Sequence, residues 1–130
     1  TNELLACVYD SHSGSVLKAQ DVLFQQMDAL RKLPEGNTTI GCIVTNAKLD
    51  KAQCTKIAGI AHNGYARAIH PVHTMSDGDS IFVLSSGEVE VMADAVGMLA
   101  TEMMAKAIKR AVLHAESAYG LPAHSDVICK

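Results

Sequence analysis

Tryptophan is absent, and the aromatic side chains amount to two Phe and three Tyr. With a formal charge of -3 and an isoelectric point near 6.0, the chain lacks both the basic stripe that neutralises phosphates and the aromatic platform on which bases stack. Nucleic acid is not an expected partner. No apolar run approaches the roughly 18 to 20 residues needed to span a bilayer, and the first residues do not read as a signal peptide. A membrane is therefore not expected as a partner, and the location read from these absences is cytoplasmic. Cys7, Cys42, Cys54 and Cys129 have no CxxC spacing, which argues against a zinc site and for small buried thiols in a reducing compartment. His62, His70 and His73 lie close together, but Pro71 breaks any helical face they could share. They are expected to hydrogen-bond locally, with no metal and no cofactor.

What is present is apolar. Hydrophobic residues make up 48% of the 130 positions and charged residues only 19%, a balance that suggests surfaces covered by other polypeptide and hence an obligate assembly. Leu4–Tyr9 and Ser15–Leu17, separated by the turn cluster Asp10-Ser11-His12-Ser13-Gly14, predict a hairpin. Residues from Ala19 to Leu33 predict a helical connector that Pro34-Glu35-Gly36 ends. Thr39–Thr45 predicts a central strand, apolar on both faces. Asp50 with Gln53 three residues on is a capping-box pattern, and predicts a helix running toward Pro71. Ser80–Ser85 predicts a second buried strand, which Gly87 turns into a long helix from about Glu88 to Ala115, apolar over much of its circumference and Met-rich on its core side. The order gives an α+β layered domain.

The chemistry centres on Gly36-Asn37-Thr38-Thr39, directly before the first buried strand. A hydroxyl at the mouth of a strand, after a flexible amide-bearing pair, can attack its own upstream peptide bond and leave Thr38 as a new N-terminus. Such a threonine carries nucleophile and base together, because an α-amine titrates near about 7.7 and can take the hydroxyl proton. Asp77-Gly78-Asp79 stands just before the second strand. If the two strands pair side by side with both mouths at one sheet edge, Asp77 and Asp79 come toward Thr38 and can orient it, as the third member of a catalytic triad does. Taken singly, each of these motifs also reads as ordinary loop punctuation.

Taken together, they resemble a family. Gly36-Asn37-Thr38-Thr39-Ile40-Gly41 continuing to Ile43–Ala47, then Ala66–Thr74, then Asp77–Phe82, are similar to the self-processing L-aminopeptidase/D-esterase family, on its threonine-bearing branch with the nylon-oligomer hydrolase. The resemblance covers most of the chain from Thr1 to about Tyr119. It implies an α+β, four-layer αββα sandwich of the N-terminal nucleophile hydrolase type, of which this chain is the C-terminal part. It implies a scissile bond between Asn37 and Thr38, with residues 1–37 ending a larger subunit and 38–130 forming a smaller catalytic subunit of the same structural domain. By the same resemblance Thr38 is the nucleophile, Asp77 and Asp79 are the paired acidic positions, and Asn2 matches the asparagine that stabilises the oxyanion. Such a donor is typically worth about 3 kcal/mol. Family members carry a long part before the position of Asn2, with a catalytic lysine or tyrosine, so that part or a companion chain is an expected partner, in a homo-oligomer of processed heterodimers.

The expected activity is that of a self-cleaving amide hydrolase acting on small peptides, amides, esters or ω-amino-acid oligomers. Two other readings stand beside it: an acyl transferase of the ornithine acetyltransferase type, in which an amine rather than water accepts the acyl group, and a non-catalytic assembly or binding module that keeps the fold.

Overall fold

The computed structural model describes residues 4–25 and 36–127. Asn2, Cys129 and residues 26–35, which hold the rest of the expected connector, lie outside these described residues. The chain divides into two compact units, one of residues 1–34 with 108–130, the other of residues 35–107.

The second unit holds β3 (Ile40–Ala47), α2 (Lys51–Ala68), β4 (Ser80–Val89) and most of α3 (Ala93–His114). Helix α2 begins where its capping box predicts. The Asp50 carboxylate accepts from the Gln53 N–H at 2.7 Å, and the Gln53 side chain accepts from the Asp50 N–H at 2.9 Å, so two otherwise orphaned donors are satisfied at the helix start. The helix stops at Ala68, with the Ile69 N–H bonding back to the Tyr65 carbonyl at 2.8 Å, just ahead of a proline that cannot extend it.

Strands β3 and β4 pair in parallel, Ile40 opposite Ser80 through Thr45 opposite Ser85. Parallel partners need a long crossover between them, and α2 supplies it. On one face, Ile43, Ile81 and Val83 pack against a core of Ala47, Ile57, Ala61, Val96 and Ala100. Small residues let α2 and α3 approach closely: a Cβ on Gly64 would stand 2.6 Å from the Thr101 carbonyl oxygen. The Thr101 hydroxyl lies within hydrogen-bond reach of the Ile60 and Gly97 carbonyls, at 3.1 and 3.0 Å, and so is satisfied although buried.

Three expectations change here. The strand pair is not covered on both sides among the described residues: Ile40 and Val44 are 71% and 77% exposed, and Phe82 and Leu84 are exposed beside them. Alternation along a strand puts these on one face, while both helices pack on the other. Strand β4 continues through Gly87 to Val89, which pairs with Ala47 after a shift in register, so Gly87 sits at positive φ inside a strand and does not start the helix. Helix α3 starts at Ala93, and only the stripe of Val96, Gly97, Ala100, Thr101 and Met104 is buried. Met98, Leu99 and Met103 are exposed, because α3 has one packed side here, not two.

The first unit contains β1 (Val8–Asp10) and β2 (Ser15–Leu17), the antiparallel hairpin that the sequence predicts, followed by α1 (Ala19–Gln25). Asp10 organises the turn by accepting from the His12 N–H at 3.0 Å and the Ser13 hydroxyl at 2.6 Å. Near the C-terminus the Asp126 carboxylate accepts from the Ala123 N–H at 2.9 Å and from the Ser117 hydroxyl. Among the described residues the cysteines are not alike buried thiols: Cys42 is free and exposed, Cys54 is free and half-buried, and Cys7 is disulfide-bonded. No helix among the described residues is long and apolar enough to cross a membrane.

Candidate active site

The strand register continues past the ends of both strands. Asn37 forms a parallel bridge with Asp77, the Gly78 N–H donates to the Asn37 carbonyl at 2.9 Å, and the Ser80 N–H donates to the Thr39 carbonyl at 2.9 Å. Asn37-Thr38-Thr39 therefore runs alongside Asp77-Gly78-Asp79, with Thr38 opposite the glycine. Parallel pairing is what brings the two motifs to one sheet edge. A tight turn leads the second motif in: the Asp77 N–H donates to the Thr74 carbonyl at 3.1 Å, and the Asp77 carboxylate accepts from the Thr74 N–H at 2.7 Å.

Thr38 is exposed. Its hydroxyl oxygen lies over Gly78, where an added Cβ would be only 2.9 Å from it. Thr38 shares the alternation of Ile40, Cys42 and Val44, and so belongs to the open face of the sheet. Asp77 and Asp79 share the alternation of Ile81 and Val83, on the helix-covered face. The acidic pair thus reaches the threonine through the backbone.

Asp79 makes that connection. Its Oδ1 accepts from the Thr39 N–H at 3.0 Å, fixing the chain one residue beyond the proposed nucleophile. Its Oδ2 is buried and 2.9 Å from His73 Nδ1, yet has no hydrogen bond of good geometry. The His73 contact is therefore a close pairing of charges when the imidazole is protonated, and not a well-directed hydrogen bond. Burial alone pushes the Asp79 carboxyl up, but hydrogen bonds from Thr39 and the charge of His73 outweigh it and hold the group below its ordinary value.

Two residues to which the motifs assign no role in the site complete the surroundings. Tyr65 is fully buried, and its hydroxyl stands 3.4 Å from both the Thr39 and the Ser80 carbonyl oxygens. Burial, with the nearby Asp79 charge, raises its pKa, so the phenol remains a donor. His73 packs edge-on against His62, and Tyr65 lies against both rings. In the sequence Tyr65 is one member of an apolar helical stripe; nothing local marks it as reaching the mouth of the sheet. His73 is expected to bond locally, and its partner is Asp79. Among the described residues no group of three or more His, Cys, Asp or Glu side chains is arranged to hold a metal ion.

A groove of about 420 Å³ runs along β3 and α3, lined by Cys42, Asn46, Val96, Leu99 and Met103 among others. None of Thr38, Asp77 and Asp79 lines it, so the chemistry suggested by the motifs sits at the end of the ladder and not in this cavity. The arrangement at that end can present a hydroxyl beside the carbonyl of the preceding residue, with that carbonyl already polarised by an N–H.

Residues 5–125 match peptidase family S58. The chain is 39% identical over 106 residues to an uncharacterized aminopeptidase of Mycobacterium tuberculosis, covering 70% of this chain and 31% of the relative. It is 41% identical over 103 residues to an uncharacterized aminopeptidase of Mycobacterium leprae, covering 68% and 28%. It is 30% identical over 120 residues to a 6-aminohexanoate-oligomer endohydrolase of Paenarthrobacter ureafaciens, covering 79% and 33%. The chain thus spans about a third of the length of the curated relatives that it matches. On the extent of the family match and the agreement of these relatives, the chain belongs to peptidase family S58, the L-aminopeptidase/D-esterase family.

Proposed function

We propose that the protein containing this chain is a self-processing amide hydrolase whose nucleophile is Thr38, released by cleavage of the Asn37–Thr38 bond. The observation that carries this reading is the exposed Thr38 hydroxyl beside a backbone held on both flanks, at Asn37 by Gly78 and at Thr39 by Asp79. A nucleophile needs access and a fixed position, and a bond to be broken needs a carbonyl that cannot drift. After cleavage the free α-amine of Thr38 serves as base for its own hydroxyl, and Asp79, with Asp77 one ladder step away, keeps the new terminus in place. Asn2 is assigned to the oxyanion of substrate turnover by the family resemblance.

In this reading residues 1–37 end the larger subunit and 38–130 form the smaller one, both within one αββα domain. The exposed apolar face of β3 and β4 supports that architecture, since Ile40, Val44, Phe82 and Leu84 form a surface that a second sheet would cover. Substrates are small peptides, amides or esters, or ω-amino-acid oligomers; the last class is supported by the relative named as a 6-aminohexanoate-oligomer endohydrolase. Subunit pairs assemble further into a homo-oligomer, in keeping with the apolar composition.

The test is intact mass of the purified full-length precursor. A fragment beginning at Thr38 is expected, with none from Thr38→Ala, together with hydrolysis of a peptide amide by the processed form alone. A precursor that stays whole, behaving identically with and without the hydroxyl, removes the proposal. Acyl transfer to an amine such as ornithine in preference to water would reassign the reaction.

A further inference from the structure

We propose that the backbone N–H of Gly78 is the electrophilic donor for self-cleavage, and that position 78 is glycine because the attacking hydroxyl occupies the space of a side chain. This rests on the cleavage reading above. Two observations carry it. The Gly78 N–H donates to the Asn37 carbonyl oxygen at 2.9 Å, and that oxygen is the atom on which negative charge develops when the Asn37 carbonyl carbon is attacked. A Cβ at Gly78 would come within 2.9 Å of Thr38 Oγ1 and 3.8 Å of Thr38 Cγ2. The same residue thus holds the electrophile by its nitrogen and makes room for the nucleophile over its Cα.

The step balances on this chain's own atoms and one water. Thr38 Oγ1 bonds to the Asn37 carbonyl carbon, and the carbonyl oxygen takes the charge while bonded to the Gly78 N–H. The bond from that carbon to the Thr38 nitrogen then breaks, and the proton from the hydroxyl ends on that nitrogen as a primary amine. The resulting ester is hydrolysed, returning the Thr38 hydroxyl and leaving Asn37 as a carboxylate. A donor already in place at the oxygen needs no reorganisation as charge builds, which is the condition under which one hydrogen bond contributes most to a rate.

Position 78 differs from its neighbours in the ladder. The Ser80 N–H makes an equally short bond, 2.9 Å to the Thr39 carbonyl, but that carbonyl lies beyond the scissile bond. Ser80 is therefore an internal control: the same ladder interaction, with no contact to the reacting carbonyl.

The experiment uses the full-length precursor with the residue 78 amide replaced by an ester, through glycolic acid incorporation, and in parallel the equivalent ester at position 80. Appearance of the fragment beginning at Thr38 is followed by intact mass, with circular dichroism to establish folding. The ester at 78 is expected to slow cleavage by about a hundredfold, the loss typical of one oxyanion donor, while the ester at 80 cuts at close to the unmodified rate. Equal slowing by both esters, or an unmodified rate with the ester at 78, overturns the assignment. If the unmodified precursor is itself not cut between Asn37 and Thr38, the underlying reading fails instead. Should the ester at 78 not fold, the infrared stretch of a ¹³C-labelled Asn37 carbonyl in the uncut Thr38→Ala precursor decides: a frequency lowered toward that of ladder carbonyls upholds the contact, and that of a free, hydrated amide refutes it. Gly78→Ala keeps the N–H but crowds the hydroxyl, and is expected to cut at least about tenfold more slowly.

Discussion

The Tyr65 hydroxyl joins the two strand mouths by standing 3.4 Å from the Thr39 carbonyl and 3.4 Å from that of Ser80. Helix α2 in this way touches the backbone next to Thr38 from below the sheet, although Tyr65 is far from Thr38 in sequence.

Tyr65→Phe keeps the buried ring and removes only this contact. The Thr39 carbonyl retains the Ser80 N–H, so the loss falls in the lower half of the usual range, about 0.5 to 1 kcal/mol. Chemical denaturation should read that loss with an unchanged m-value. A larger cost, or a changed m-value, would mean that the hydroxyl supports more than these two carbonyls.

Two glycines of α2 should respond oppositely to alanine. At Gly64 the new methyl meets the Thr101 carbonyl and the Met104 side chain, and backbone cannot give way, so a cost of about 1 to 3 kcal/mol is expected. At Gly59 the methyl meets nothing, and helix propensity alone should stabilise by up to about 1 kcal/mol. Thermal melts of the pair check the contact between α2 and α3; equal effects would refute it.

Asp79 sets a pH dependence whose sign follows from its lowered pKa. The folded state binds the proton less tightly than the unfolded state does, so the stabilisation is complete above the ordinary carboxylate range and is lost as pH falls through the folded value. Asp79→Asn should flatten that acid limb of the stability profile and slow formation of the Thr38 fragment by roughly tenfold or more, through a less firmly held Thr39. His73→Gln removes the imidazole that faces Oδ2, lets the folded value rise toward the ordinary one, and should shrink the acid limb. An unchanged limb in Asp79→Asn would assign the dependence elsewhere.

The open face of β3 and β4 makes its own prediction in the full-length precursor. Burying a side chain such as that of Val44 or Phe82 contributes about 1.5 to 3 kcal/mol, and a charge placed there must be desolvated as well. Val44→Asp or Phe82→Asp should therefore prevent soluble expression of the precursor if a second layer covers this face. Wild-type expression and melting of both variants would show the face to be solvated.

Much of this arrangement was legible in the sequence, and the limits have physical causes. The α2 start could be read because a capping box is local chemistry between Asp50 and Gln53. The approach of Asp77 and Asp79 to Thr38 could be anticipated only conditionally, since parallel pairing is decided by the crossover and not by either motif. That β3 would have an open face was not legible: Ile40, Cys42, Val44 and their neighbours are apolar on both sides, which reads the same whether the covering layer is present or not. Gly87 reads as a turn because positive φ usually ends a strand, and here the ladder resumes beyond it with Ala47 and Val89. His73 and Tyr65 escaped because their partners are set by tertiary folding. For Asn2 the expectation lies outside the described residues.

The constancy of the ladder offset has a mechanical implication. Asn37 opposes Asp77 by the same step that sets Ile40 against Ser80 and Val44 against Leu84, so the strand pair works as a ruler whose zero mark is the threonine. Slipping one notch along that ruler would put a carboxylate-bearing residue, not glycine, across from the hydroxyl, and would invert which side of the sheet each group faces. Fidelity at the tip is therefore guarded by hydrocarbon interlocking farther down, at Ile43, Ile81 and Val83, where no chemistry occurs.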